Sequence, residues 1–194
     1  SPWGKQSGAH LNPAVTLTFL RLGKIQVADA LFYVLAQFAG GLAGFLLVTA
    51  GIRPYVADPS VNYVVTTPGQ FGAGPAFLAE LVISFGLMLV VLLASNAQQV
   101  ARYTGLFAGM LVATYISVEG PLSGMSMNPA RTFASALPAH LWTALWVYFT
   151  APPIGMLAAA ELYLRVTGAR PIACPKLHHQ NCYRCIFCGK PAGA

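Results

Sequence analysis

Two ten-residue segments carry the same chemistry. Ser7-Gly8-Ala9-His10-Leu11-Asn12-Pro13-Ala14-Val15-Thr16 and Ser123-Gly124-Met125-Ser126-Met127-Asn128-Pro129-Ala130-Arg131-Thr132 both read Ser-Gly-x-x-x-Asn-Pro-Ala-x-Thr. Asparagine caps a helix by accepting a backbone N–H on its side-chain oxygen. Proline suits the first helical position, where its missing N–H has no partner to lose. Alanine allows close packing at the helix start. Each segment therefore predicts a short helix, over about Pro13–Leu20 and Pro129–Leu137. With the oxygens used in capping, the NH₂ groups of Asn12 and Asn128 stay available to donate to a passing solute. The partly positive helix N-termini would sit beside them. A lone Asn-Pro-Ala is an ordinary helix cap; two in matched ten-residue contexts point to a pair of helix tips that act together.

The surrounding elements must hold these tips. Among the 194 residues, 56% are hydrophobic, 8% are charged and mean hydropathy is +0.62. A soluble domain carries about 25% charged residues, and disordered chains are polar and highly charged, so both classes are excluded. The net charge of +6 does not point to nucleic acid, because the positive residues are scattered between apolar runs. Four stretches read as membrane helices: Val27–Ile52 around Asp29, Ala73–Ala97 around Glu80, Tyr103–Val118 without a charge, and Leu141–Leu164 around Glu161. A spanning helix needs about 20 apolar residues, so the third is short. Gly40, Gly41 and Gly44 in the first span, and Gly105 and Gly109 in the third, suit close helix crossings or are generic membrane-helix composition.

Lys and Arg set the orientation. If each span crosses once, Lys5, Arg21, Lys24, Arg102, Arg165, Arg170, Lys176, Arg184 and Lys190 share one side, which is then cytoplasmic. The two Asn-Pro-Ala segments approach from opposite faces, which makes an inverted repeat. Helices this short cannot cross a bilayer; entering from opposite faces, they can meet tip to tip near its midplane. Trp142, Trp146 and Tyr148 read as interfacial anchors.

On the two Asn-Pro-Ala segments, the Arg131 after the second, and the spacing of the spans, residues 7 to about 168 resemble the major intrinsic proteins, the aquaporins and glycerol channels. The resemblance implies an all-α membrane protein: an aquaporin-like inverted repeat with two re-entrant half-helices and four of the family's six transmembrane helices. Only eleven residues precede Asn12, whereas in the second half two spans lie between Ala73 and Asn128. The chain is therefore expected to be a fragment lacking the first two helices, with one pore wall open; a natural four-span form is the alternative. The domain expectation is a channel over residues 1–168 and a cytoplasmic tail over 169–194.

The resemblance also implies roles. Asn12, Pro13, Ala14, Asn128, Pro129 and Ala130 would form the pore's two signature motifs. Arg131, Ile116 and Met125 would form the selectivity filter. Carbonyls of Gly8, Ala9, His10, Gly124, Met125 and Ser126 would accept hydrogen bonds from water. Glu80 would hold the second re-entrant loop and Gln37 the first. Ile116 stands where narrow water channels of the family often hold His, and Thr132 where glycerol channels usually have Asp; the latter departure favours water. The expected activity is a passive channel for water and small neutral solutes that excludes ions and protons. The alternatives are a glycerol-type facilitator, or a non-conducting chain with a metal- or redox-sensing tail. No nucleophile–base constellation suggests an enzyme. The resemblance implies a homotetramer in a plasma or inner membrane. The role of Glu119, near the Met125 end, stays open between attracting cations and sitting at a helix end.

After Pro171 the composition changes. Cys174, His178, His179, Cys182, Cys185 and Cys188 crowd into 15 residues. Thiolate and imidazole suit zinc, and Cys185-x-x-Cys188 has zinc-ligand spacing. The competing reading is a disordered basic tail with free thiols. No cofactor is expected for the pore itself; zinc is the candidate for the tail.

Overall fold

In the computed structural model, residues 2–168, 172–179 and 181–191 are described. Arg170, counted above among the cytoplasmic charges, and the expected domain border at residue 169 lie outside them. The elements run α1 (Pro2–Ser7), α2 (Pro13–Arg21), α3 (Val27–Val56), α4 (Ala73–Ser95), α5 (Thr104–Val118), α6 (Gly120–Ser123), α7 (Pro129–Ala139) and α8 (Leu145–Thr167). Short 3₁₀ turns at Asn62–Val64 and Ala101–Tyr103 complete the helical content of the described residues. The fold is all-α.

Among the described residues, three helices are long and apolar enough to cross a membrane: α3, α4 and α8. At 15 residues, α5 is about 22 Å long, short of a hydrocarbon core about 30 Å thick. The third expected span is therefore a shorter helix, flanked by the Ala101–Tyr103 turn and by α6. The first span ends where proline dictates. Pro54 lacks an N–H and crowds the preceding turn, and the backbone leaves helical geometry at Ile52, with φ −132° and ψ 36°.

The core is built on α4 against α8. Ile83, Leu87, Met88, Val91 and Leu92 of α4 meet Met156, Ala159, Ala160 and Tyr163 of α8. The two backbones come so close that a Cβ on Gly155 would collide with the Leu81 carbonyl. Gly155 lies outside the glycines singled out from the sequence. Gly40, Gly44, Gly105 and Gly109 have no described heavy atom within 4 Å of the place a Cβ would occupy, and Gly41 would make only ordinary contact with Ala130. The first-span glycines are thus not the ones that set the tightest crossing.

The half-helices α2 and α7 touch each other and both pack on α3 and α8. In α3 only Ala30, Gln37 and Val56 are buried. Its outward face is apolar, including Leu31, Phe32, Leu35 and Leu47. Such a long apolar face is stable in hydrocarbon and aggregation-prone in water. An Arg21–Glu161 ion pair, 2.7 Å long and half-exposed, ties α2 to α8.

Candidate functional site

The two repeated segments fold alike. Asn12 (φ −141°, ψ 121°) and Asn128 (φ −146°, ψ 105°) are both extended N-caps. Asn12 Oδ1 accepts the Ala14 N–H at 2.9 Å. Asn128 Oδ1 accepts those of Ala130 at 3.0 Å and Arg131 at 3.3 Å. Upstream, Gly8 and Ala9 match Gly124 and Met125, all four with positive φ. This explains the repeated glycine: the left-handed region is open to Gly at little cost. At Gly124 a Cβ would also crowd the Thr67 backbone, 2.9 Å away.

The tips meet. Asn12 Nδ2 donates to the Met127 carbonyl at 2.6 Å, and Asn128 Nδ2 donates to the Leu11 carbonyl at 2.9 Å. Each asparagine thereby ties the opposite loop, a reciprocal clasp that the sequence did not suggest. It corrects the expectation that both hydrogens of each NH₂ are free. One is spent on the clasp and one remains, since the group carries two donors.

The loops are held by buried polar groups. Glu80, fully buried, accepts the Ser126 N–H at 2.6 Å and the Met127 N–H at 2.7 Å, and the Ser123 hydroxyl at 2.8 Å. Gln37 Nε2 donates to the His10 carbonyl at 2.8 Å and to Thr16 Oγ1 at 2.9 Å. The His10 carbonyl, expected to serve solute, is thus engaged by Gln37. Among the described residues none donates to the carbonyls of Gly8, Ala9, Gly124, Met125 or Ser126. Ser126 also bonds Thr132 through their hydroxyls.

Arg131, Met125 and Ile116 share a cavity of about 430 Å³ with Asn12 and Asn128. A neighbouring cavity of about 440 Å³ borders Asn128 and Arg131 from the α3 side, where Leu11 is 78% exposed. The Arg131 guanidinium donates to Thr66 Oγ1. Thr66 follows a turn in which Asn62, Tyr63 and Val64 all have positive φ. Left-handed backbone costs about 1–2 kcal/mol per non-glycine residue, so this loop is held by its tertiary contacts. Nothing in the local sequence marks Thr66 as a partner of Arg131.

Two expectations change here. Tyr148 is no interfacial anchor: it is fully buried, and its hydroxyl donates to the Ser123 carbonyl at 2.6 Å. Trp142 and Trp146, 45% and 55% exposed, do lie at the surface. Glu119 is buried at the α5–α6 junction, with no described hydrogen-bond partner for either carboxylate oxygen.

The tail folds back on the first loop. His10 Nε2 lies 2.8 Å from the Pro175 carbonyl, and Phe187 stacks near the His10 and Tyr33 rings. Asn96 Oδ1 accepts the Ala173 N–H at 2.9 Å. The disordered-tail reading is therefore replaced by a packed one, because Ile172 enters the same apolar core as α4 and α8. Cys174, His179, Cys185 and Cys188 each offer a ligand atom, all within 4.8 Å of one another. Cys182 is exposed, and neither it nor His178 belongs to this group. Burial pushes the Cys174 thiol up. Burial and the nearby Lys190 and Lys176 hold His179 below its usual value.

Comparison with known proteins agrees with this geometry. The family model for the major intrinsic proteins matches residues 2–163. The chain is 37% identical over 163 residues to a probable NIP-type aquaporin of Nicotiana alata, covering 82% of this chain and 58% of that protein. It is 36% identical over 174 residues to aquaporin NIP6-1 of Arabidopsis thaliana, covering 89% and 55%. The chain thus spans about half the length of the curated relatives it matches. Its fold is similar to the aquaglyceroporin of Plasmodium falciparum, with a TM-score of 0.75 and 21% identity over 85% of this chain and 75% of that one. With three membrane-length helices and paired half-helices in place, the chain is an integral membrane protein that belongs to the major intrinsic protein family.

Proposed function

We propose that this chain forms the conducting part of a passive channel for water, open to small neutral solutes and closed to ions and protons. The observation that carries the reading is the reciprocal clasp of the two capped half-helix tips, Asn12 on Met127 and Asn128 on Leu11. It brings two carboxamides and two positive helix ends to one spot. The remaining N–H of each asparagine donates to the oxygen of a passing water, which turns that water's hydrogens outward along the pore. The carbonyls of Gly8 and Ala9 on one side, and of Gly124, Met125 and Ser126 on the other, accept them. Irregular backbone is tolerated at this depth because it lines a water path.

Arg131 and the helix ends raise an electrostatic barrier to cations, including hydronium. Apolar side chains such as Ile116, Met125 and Val112 line the rest, so an ion would lose hydration there without replacement. Glu80 and Gln37 act by holding the loops in register. The tail lies on the cytoplasmic side by the Lys and Arg distribution, and the assembly is a homotetramer by family likeness.

A glycerol-type facilitator is the second reading, favoured by the apolar Ile116 in the filter cavity. The test is stopped-flow light scattering on proteoliposomes carrying the complete gene product. Shrinkage in a sucrose gradient well above that of empty vesicles is expected. Shrinkage no faster than in empty vesicles rejects water conduction, and fast re-swelling in glycerol promotes the second reading.

A further inference from the structure

The tail's cysteines and histidine lie outside the pore, and the channel chemistry makes no use of them. Their arrangement is nevertheless that of a ligand set. Three sulfurs and an imidazole nitrogen, from residues spaced Cys174-x₄-His179-x₅-Cys185-x₂-Cys188, converge within 4.8 Å. In a tetrahedral zinc site with Zn–S about 2.3 Å, sulfurs stand about 3.8 Å apart. Cys174 Sγ and Cys185 Sγ are 3.2 Å apart, closer than that and well beyond the ~2.05 Å of a disulfide.

The Cys185–Gly189 turn closes through Gly189 N–H to the Cys185 carbonyl at 3.1 Å, with Gly189 at φ 73°. Two buried groups want what a metal would supply. His179 Nδ1 is buried with no described hydrogen-bond partner. Lys176, 1% exposed, buries an ammonium with none either. A divalent ion with three thiolates has net charge −1, a counter-charge for Lys176, which lies within electrostatic reach of His179.

The same segment covers the end of the pore path that begins at Gly8. A Cβ on Gly8 would stand 3.3 Å from the Lys176 Cα and from the Pro175 carbonyl. Asn181 Nδ2 donates to the Lys5 carbonyl at 3.2 Å, and Lys5 lies over the Tyr183 ring. We propose that Cys174, His179, Cys185 and Cys188 bind one zinc ion, and that the metal-folded tail is a cap over the Gly8–His10 mouth. Zinc fits because the donors are soft thiolates with one imidazole, in a tetrahedral-sized cluster. Binding to a site absent from the unfolded tail is folding free energy, so losing the metal releases the cap. The metal site stands independently of conduction; only the word mouth rests on the channel reading.

The experiment uses the whole chain in detergent or nanodiscs. Metal analysis of the purified protein should find one equivalent of zinc per chain. It should be lost in Cys185→Ser and His179→Ala and kept in Cys182→Ser. Replacement by cobalt should give the absorption of a tetrahedral thiolate complex. Hydrogen exchange read by mass spectrometry should show fast exchange of residues 5–10 after chelation, restored on adding zinc. Zinc absent, iron in its place, or a Cys174–Cys185 disulfide in protein kept under reducing conditions would overturn the metal site. Stoichiometric zinc with unchanged exchange at residues 5–10 would overturn the cap. The exchange readout does not depend on transport, so its outcome is distinct from failure of the channel reading.

Discussion

Three side chains concentrate the chemistry of the proposed pore, and each has a different job. Asn128 both caps α7 and ties the Leu11 carbonyl. Asn128→Ala removes the cap, at about 1 kcal/mol, and the clasp with it. We expect a lower melting temperature and slower vesicle shrinkage; wild-type values for both would remove Asn128 from the proposed donor pair. Glu80→Gln replaces one acceptor oxygen with a donor, facing the N–H groups of Ser126 and Met127. A buried donor left unsatisfied costs about 1–3 kcal/mol, so this isosteric change should destabilise the chain measurably in detergent melts. Arg131→Val withdraws the positive charge from the cavity shared with Ile116 and Met125. Cation leak into vesicles loaded with a pH or sodium dye should rise; an unaltered leak would count against the electrostatic role. Asn12 and Asn128 were legible because a cap is local: the partner N–H lies two residues on. Thr66, Ser123 and Tyr148 were not. Their partners lie 65, 43 and 25 residues away, and no short-range pattern encodes such meetings.

At the scale of elements, hydropathy placed the helices and left their contacts unmarked. The half-helices were expected over Pro13–Leu20 and Pro129–Leu137 and occupy Pro13–Arg21 and Pro129–Ala139, because Asn-Pro punctuation fixes their starts. The close approach of α4 and α8 at Gly155 had no such mark, since apolar helices with small residues are common in membranes. It yields a paired prediction. Gly155→Ala drives a methyl into the Leu81 carbonyl and should cost about 1–3 kcal/mol, as overpacking does. Gly44→Ala meets nothing within 4 Å and should hold or slightly raise the thermal midpoint in detergent, since alanine is the better helix former. Equal effects of the two would mean that the α4–α8 contact does not limit stability.

For the whole molecule, the arrangement of charge and the docked tail matter most. On the orientation proposed from the Lys and Arg distribution, Cys182, which is exposed, would face the cytoplasm. A membrane-impermeant maleimide should fail to label it from outside intact cells and label it after permeabilisation. Labelling from outside would invert the orientation proposed here. By composition the tail stands apart from the apolar chain before it. The fold joins the two, since Ile172 and Phe187 find apolar and aromatic partners around His10, Phe19 and Tyr33. A polar, Cys-rich segment with scattered apolar residues does not announce such docking.

What the sequence determined by itself was the class of protein, the two capped half-helices and their opposed entry. Those follow from hydrophobic length, local capping and the side on which cations sit, each readable within a turn or two of chain. Tertiary structure alone decided which amide hydrogen each asparagine keeps, which glycine lets α4 and α8 touch, and which four of the tail's six sulfur and imidazole side chains converge. Each of those depends on atoms brought together from distant residues, where a shift of an ångström or two separates contact from none.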